Sequence, residues 1–237
     1  MSDSVLVQEA DGIGRITLNR PDAMNAITPE LATALRDGLA DLGERARVIV
    51  IAGAGGNFCS GGDFKAVAAL REDPVALRGL FEAFHEACAL IAELRVPVIT
   101  AVEGVAMAGG FELMLASDIA IVREDARIGD NHSNIAMVPG GGSTQRLPRL
   151  VGRQRALGLI LTGDHISGAQ AAEWGLAYRA VAELEPAVTE LAQRLAGKDP
   201  AALARTKAVV QAGLEQPLRE GIELELETVM THLGNGR

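Results

Sequence analysis

The sequence predicts an α/β fold, and three observations carry the prediction. Short, continuous apolar runs rich in β-branched residues, at 48–52, 98–102 and 119–122, have the character of strands buried on both faces. Helical patterns over 74–94 and 109–116 separate these runs, an alternation that implies parallel pairing through right-handed crossovers. From Gly141 onward the pattern is almost wholly helical.

Taken in order, residues 5–8 and 13–18 read as two strands joined by a turn at Asp11-Gly12. Thr28-Pro29 opens a helix reaching about Gly43, with Thr as N-cap and Pro at the first helical position. The strand at 48–52 runs into a glycine loop over 53–62, and a long helix follows at 74–94. The strand at 98–102, a short helix at 109–116 and the strand at 119–122 complete the α/β part. Six helices are expected beyond it, at 143–150, 153–161, 169–174, 184–195, 200–212 and 217–233. Gly197 and Pro200 mark a break, but too little chain follows to bury a core of its own. The expected organisation is a core over 1–185. A helical region over 186–237 belongs to the same functional unit and packs on itself or on a neighbouring subunit.

Composition narrows the functional classes. The chain has 237 residues, 48% hydrophobic and 22% charged, ample for a packed core and unlike a disordered protein. Glycine or charge breaks every apolar stretch long before about 18 residues, so no membrane span is expected. Met1-Ser2-Asp3-Ser4 lacks the basic and apolar segments of a signal peptide, which points to the cytoplasm. A net charge of −9 disfavours nucleic acid and anionic membranes as partners, since both need a basic patch. Two cysteines, Cys59 and Cys88, cannot make a disulfide framework. His85 and Cys88 lack the further ligands that a metal site needs, so no metal is expected. His165 and His232 read as exposed residues.

Glycine is abundant, with 27 residues against one Trp and one Tyr, and it clusters at 53–62, 104–110, 129 and 140–142. Each cluster follows a predicted strand or opens a predicted helix, where α/β proteins bind ligands. Such loops also make plain tight turns. The phosphate-loop, dinucleotide and nucleophile-elbow motifs are all absent. If the strands before Ser60 and Gly109 are neighbours, the backbone amides of these two residues converge on one oxygen. Gly109 would add the positive end of a helix dipole. Two amides aimed at a developing negative charge form an oxyanion hole, typically the largest single term in acyl chemistry. Glu112 is the only ionisable residue in the apolar stretch 106–116, where burial should raise its pKa into the range of a neutral-pH acid/base. Asp130 and His132, in an extended segment, would project to one face and form an acid–imidazole pair. Cys59, beside the glycine loop, reads as a small buried apolar residue, and Asp63 as a shaper of that loop or the cap of a helix after it.

Several segments carry a resemblance. They are Leu18-Asn19-Arg20-Pro21 with Met24-Asn25-Ala26, the run from Phe58 to Lys65, the run from Gly104 to Leu113, Pro139-Gly140-Gly141-Gly142-Ser143-Thr144-Gln145-Arg146-Leu147, Leu161-Thr162-Gly163-Asp164, and Ala171-Ala172-Glu173-Trp174-Gly175-Leu176. In this order, over nearly the whole chain, the sequence resembles the crotonase, or enoyl-CoA hydratase/isomerase, family. The resemblance implies a spiral of ββα turns with a helical C-terminal trimerisation region, as a homotrimer or a hexamer made of two trimers. It implies an acyl-CoA substrate, with coenzyme A as part of the substrate and no separate cofactor. The thioester enolate would be held by the amides of Ser60 and Gly109. Ala23, Met24, Gly61, Gly62, Asp63, Phe64, Gly110, Pro139 and Gly140 would line the substrate site.

Family members that add water to an enoyl-CoA resemble one another in two glutamates. The first falls at Glu112. The second belongs seven residues before Pro139, where this sequence has His132. The sequence also lacks the family's basic residue before Asn25, and its last helix has Arg219 as its sole Lys or Arg, leaving Arg20, Lys65 and Arg71 as candidate phosphate anchors. The leading expectation is an enoyl-CoA hydratase or isomerase using Glu112 and His132. Two alternatives stay open. One is a CoA-independent hydrolase that cleaves a β-diketone C–C bond with Asp130 and His132. The other is a non-catalytic acyl-CoA binder, against which the lone carboxylate of Glu112 argues.

Overall fold

The computed structural model describes residues 3–234, so Met1 and Ser2 of the leader reading lie outside the described residues. Strands β1 (Val5–Ala10) and β2 (Ile13–Leu18) form an antiparallel hairpin. Its two turn residues, Asp11 and Gly12, both have positive φ (55° and 78°), which matches the turn to the strand twist. Thr28 caps α1 (Pro29–Arg45) by accepting from the Leu31 amide at 3.2 Å, with Pro29 at the first helical position as expected. Then come β3 (Val48–Gly53), α2 (Phe64–Ala69), α3 (Pro74–Glu93), β4 (Val98–Val102), β5 (Val105–Met107), α4 (Gly109–Ala116), β6 (Ile119–Arg123) and β7 (Arg127–Gly129). The remainder is α5 (Ser143–Val151), α6 (Arg153–Thr162), β8 (Ile166–Ser167), α7 (Gly168–Glu173), β9 (Arg179–Val181), α8 (Leu184–Ala196), α9 (Pro200–Gly213) and α10 (Leu218–Gly234).

The main sheet has the order β1-β2-β3-β4-β6-β9, parallel from β2 onward. Its central strands are buried on both faces, as the continuous apolar runs predict. Alternate residues divide between two cores: Ile49 and Ile51 of β3 join Leu35 and Leu39 of α1 and Ile91 of α3, while Val48 and Val50 meet Val188 and Leu191 of α8. The core therefore runs through α8, and the expected boundary at 185 falls inside this helix. Burial of Val188, Leu191 and Ala192 against the sheet is the reason.

A second sheet, β5-β7-β8, is new relative to the sequence reading, as is β9, while α2 is the helix that Asp63 is expected to cap. Strands of two or three residues give no periodic signal, and their pairing is imposed by chain neighbours. The unit β4–β5–α4 brings two strands and a helix around one turn, and residues 58–59 extend the second sheet's layer through the bridge Cys59↔Ala106.

A largely buried ion pair ties α9 to this core. Lys207 donates to Asp118 Oδ2 at 2.6 Å and to the carbonyls of Ile91 and Val96 at 2.6 and 3.0 Å. Burial pushes the Asp118 carboxyl up and the Lys207 ammonium down, each held back by the other's charge. Lys207→Met strands a carboxylate in the interior, and the expected loss is about 3–5 kcal/mol. Urea unfolding would show it as a lower midpoint at unchanged slope.

Candidate active site

The glycine loop is positioned by the second sheet. Cys59 donates to the Val105 carbonyl at 2.9 Å and accepts from Met107 at 3.0 Å, which lays residues 58–59 along β5. The chain then turns at Gly61, with φ of 102°, and a Cβ there would stand 2.6 Å from the Cβ of Ala108. Only glycine fits such a turn and such an approach. Ala108 itself has φ of 46° just before α4, a strained conformation of the kind that clusters at functional sites.

The Ser60 amide is not a free donor, which corrects the oxyanion assignment. It donates to the Met24 carbonyl at 2.9 Å, while the Ser60 hydroxyl reaches the Ala23 carbonyl at 3.4 Å. Gly62 is the residue of this loop whose amide is left free. In the parallel bridge Ile27↔Gly62, the flanking groups bond to Ile27: Ile27 donates to Gly61 and Asp63 donates to Ile27, both at 2.8 Å. The Gly62 amide is thereby turned away from Ile27. Among the described residues the amides of Gly62 and Gly109 have no acceptor, and both residues line the same cavity. Gly109 is the first residue of α4, whose dipole adds positive potential.

Every residue of α4 is buried, and Glu112 is only 2% exposed. Its Oε1 accepts from the amides of Gly141 at 2.7 Å and Ser143 at 3.1 Å, at the start of α5. Burial pushes the carboxyl above its ordinary 4.5, opposed by these amides and by His132. Gly141 is required here for space, because a Cβ would lie 2.5 Å from Glu112 Oε2.

Asp130 and His132 pair as expected, but by a different backbone route. The segment is not extended: Asn131 is left-handed (φ 43°) and His132 opens a 3-10 turn, His132–Ile135. The left-handed step folds the imidazole back so that Nδ1 lies 2.8 Å from Asp130 Oδ1. Asp130 is fully buried and also accepts from the Ser143 hydroxyl on Oδ2. Burial disfavours the imidazolium, but the hydrogen bond and charge of Asp130, with the charge of Glu112, outweigh it and hold His132 above its ordinary 6.5. With Nδ1 committed to Asp130, Nε2 is the nitrogen available to a substrate. Asn131 also lines the cavity, and its buried Oδ1 has no partner among the described residues.

These groups share one cavity of about 110 Å³, walled mainly by Ile27, Val67, Leu80, Phe81, Phe84 and Met137. Of the expected substrate-site residues, Gly62, Phe64 and Gly140 line it. Gly61 and Gly110 are buried and do not line it, and a Cβ on Gly110 would collide with the Cys59 carbonyl. Ala23 and Met24 do not line it and instead hold Ser60 through their carbonyls, and Pro139 faces a neighbouring groove with Val138 and Leu161. Asp63 caps α2 by accepting from Lys65 and Ala66 and pairs with Arg20 at 2.9 Å. Arg20 also donates to the Ala26 carbonyl, so it is spent on the fold and is no phosphate anchor. Arg71 lines the cavity and Lys65 is exposed beside it on α2.

The residues set aside behave as packing groups. Burial pushes the Cys59 and Cys88 thiols up to about 12, far from a nucleophilic thiolate. His85 and His165 are exposed. His232, expected to be exposed, is half-buried because its Nδ1 meets Arg205 at 2.5 Å. Sequence reading missed Ser143 and Asn131; a serine at a helix start and a polar residue before His132 carry no signal until the fold brings them together.

Comparison with known proteins decides the family. The family model described as enoyl-CoA hydratase/isomerase matches residues 8–235. The chain belongs to the enoyl-CoA hydratase/isomerase family. It is 36% identical to the bovine enoyl-CoA hydratase domain-containing protein 2, mitochondrial, over 90% of this chain and 75% of that one. It is 31% identical to the peroxisomal Δ(3,5)-Δ(2,4)-dienoyl-CoA isomerase of Arabidopsis thaliana, over 88% and 80%. The crystal structure of enoyl-CoA hydratase from Bacillus anthracis superposes with a TM-score of 0.90 at 34% identity, covering 96% of this chain and 90% of that one. The two sheets and the ββα turn are thus those of a crotonase fold. As an enoyl-CoA hydratase/isomerase the chain is a hydratase- or isomerase-type enzyme, and no helix among its described residues is long and apolar enough to cross a membrane.

Proposed function

We propose that this enzyme adds water across the double bond of an enoyl-CoA thioester. The observation that carries the reading is that a carboxylate with a raised pKa and a carboxylate-supported imidazole line one apolar cavity with two unspent backbone amides. The amides of Gly62 and Gly109 receive the thioester oxygen as the enolate charge develops. Glu112, as carboxylate, takes a proton from water while the water oxygen bonds to Cβ. His132, as imidazolium, delivers its Nε2 proton to Cα, so one water is consumed and the two groups exchange one proton each. Isomerisation moves a single proton between Cα and Cγ and needs one shuttling group; two groups of different acidity suit hydration better. Coenzyme A serves as the thioester handle, and no step calls on another cofactor.

The test is the decay of enoyl absorbance with crotonyl-CoA, with the product identified by NMR. Hydration gives the 3-hydroxyacyl ester. Its kcat/KM should follow a bell, with an acid limb above 4.5 as Glu112 loses its proton and an alkaline limb above 6.5 as His132 loses its own. Binding without turnover would reject the reading. The 2.8 Å Asp130–His132 pair supports one competitor, a water-activating base for β-diketone cleavage. Turnover of a β-diketone in place of crotonyl-CoA would establish it.

The same reading includes assembly through the C-terminal region. Helix α10 rests on α9 and buries none of its described residues, while Leu218, Ile222, Leu226, Met230 and Leu233 stand more than half exposed. An apolar face of this extent suits a subunit interface. Light scattering should give a trimer or hexamer mass, and a monomer would contradict it.

A further inference from the structure

We propose that Ser143 is the positioning residue that locks His132 and couples it to Glu112, an inference that rests on the acid/base reading above. Ser143 is fully buried and is the first residue of α5. Its two polar groups serve the two halves of the site. The backbone amide donates to Glu112 Oε1 at 3.1 Å, and the hydroxyl donates to Asp130 Oδ2. The other carboxylate oxygen, Oδ1, accepts from His132 Nδ1 at 2.8 Å.

The direction of these bonds follows from inventory. An ionised carboxylate only accepts, so the single hydroxyl proton of Ser143 lies on Asp130 and the Nδ1 proton of His132 lies on the other oxygen. The Ser143 hydroxyl is fully buried and lies outside the cavity lining, so it acts on Asp130 and not on substrate. Asp130, tied at both oxygens, cannot rotate, so the imidazole keeps its proton on Nδ1 and exchanges protons with substrate through Nε2 alone. The same turn of α5 thus sets the free oxygen of Glu112 and the free nitrogen of His132. Bonds to charged groups in a buried site are the strong ones, and networks of this kind specify one arrangement only when every member is satisfied.

Ser143→Ala separates the two jobs, because it keeps the amide to Glu112 and removes the hydroxyl from Asp130. The expected result with crotonyl-CoA is a kcat lower by about 10- to 100-fold, the weight of a hydrogen bond to a charged group, with KM within about twofold. Nitrogen NMR of the unliganded protein, on the alkaline side of the His132 titration, should show one Nδ1–H tautomer in the wild type and a mixture in Ser143→Ala. Ser143→Thr, which keeps a hydroxyl, should restore both readouts. A kcat within about twofold of wild type, or a single Nδ1–H tautomer in Ser143→Ala, overturns the proposal. So does a Ser143→Thr protein that melts like wild type but recovers neither readout. The tautomer is read without substrate, so absence of hydratase turnover would reject the functional reading and leave this test intact.

Discussion

Glu112→Gln is expected to lower kcat for enoyl-CoA hydration by about 10²–10⁴-fold, the usual weight of a positioned acid/base group. Gln has the same shape, and its carbonyl can still accept from Gly141 and Ser143. What is lost is the ability to hold a proton and release it. Because burial already disfavours the charged carboxylate, removing the charge costs the fold little. The linkage has a definite sign. A carboxyl raised above 4.5 binds protons more readily folded than unfolded, so its contribution to stability is full below that pH and is lost as the pH rises through its folded value. At neutral pH Glu112→Gln should therefore melt no lower than wild type. Kinetics and thermal unfolding on one preparation check both halves, and a variant that is inactive because it is unfolded would fail the second.

Gly62→Pro is expected to lower kcat by about 10²–10³-fold, equivalent to about 2.7–4 kcal/mol for one oxyanion donor. Proline removes the N–H and leaves the carbonyl. Gly62 has room, since a Cβ there meets only Val67 at the ordinary distance of 3.7 Å. Gly62→Ala keeps the amide and is the matched control, expected to stay within a few-fold of wild type. The contrast distinguishes Gly62 from Ser60, whose amide is bonded to Met24. Steady-state kinetics of the Pro and Ala variants side by side decides it. Equal activities would remove Gly62 from the oxyanion hole.

Much of this molecule is legible in its sequence, for identifiable reasons. Strands β3, β4 and β6 announce themselves because burial on both faces demands unbroken apolar runs, and α1 because Thr28 and Pro29 carry a cap. Glu112 stands out as a lone charge in an apolar helix. The second sheet is invisible because its strands are too short to carry a period. The free amide of the glycine loop lies two residues beyond the expected Ser60 for a related reason. The choice between Ser60 and Gly62 depends on which amide the Ile27 bridge and the Met24 carbonyl consume, and those partners lie over 30 residues away. The Asp130–His132 pairing was reached through an extended segment that the chain does not adopt, and the left-handed Asn131 gives the same contact by folding back. Ser143 lay inside a recognised segment, yet its bonds to Asp130 and Glu112 arise only when α5 meets α4 and the turn after β7.

On the proposed function, Glu112 and His132 act as one acid/base unit adding water to an enoyl-CoA. The measurement that tests it most directly is a double-mutant cycle on crotonyl-CoA hydration with Glu112→Gln, His132→Ala and the pair. Groups that act together are strongly non-additive, so each single variant should lose about as much kcat as the double. A kcat within about tenfold of wild type in either single variant, or losses that add in the double, would contradict this unit.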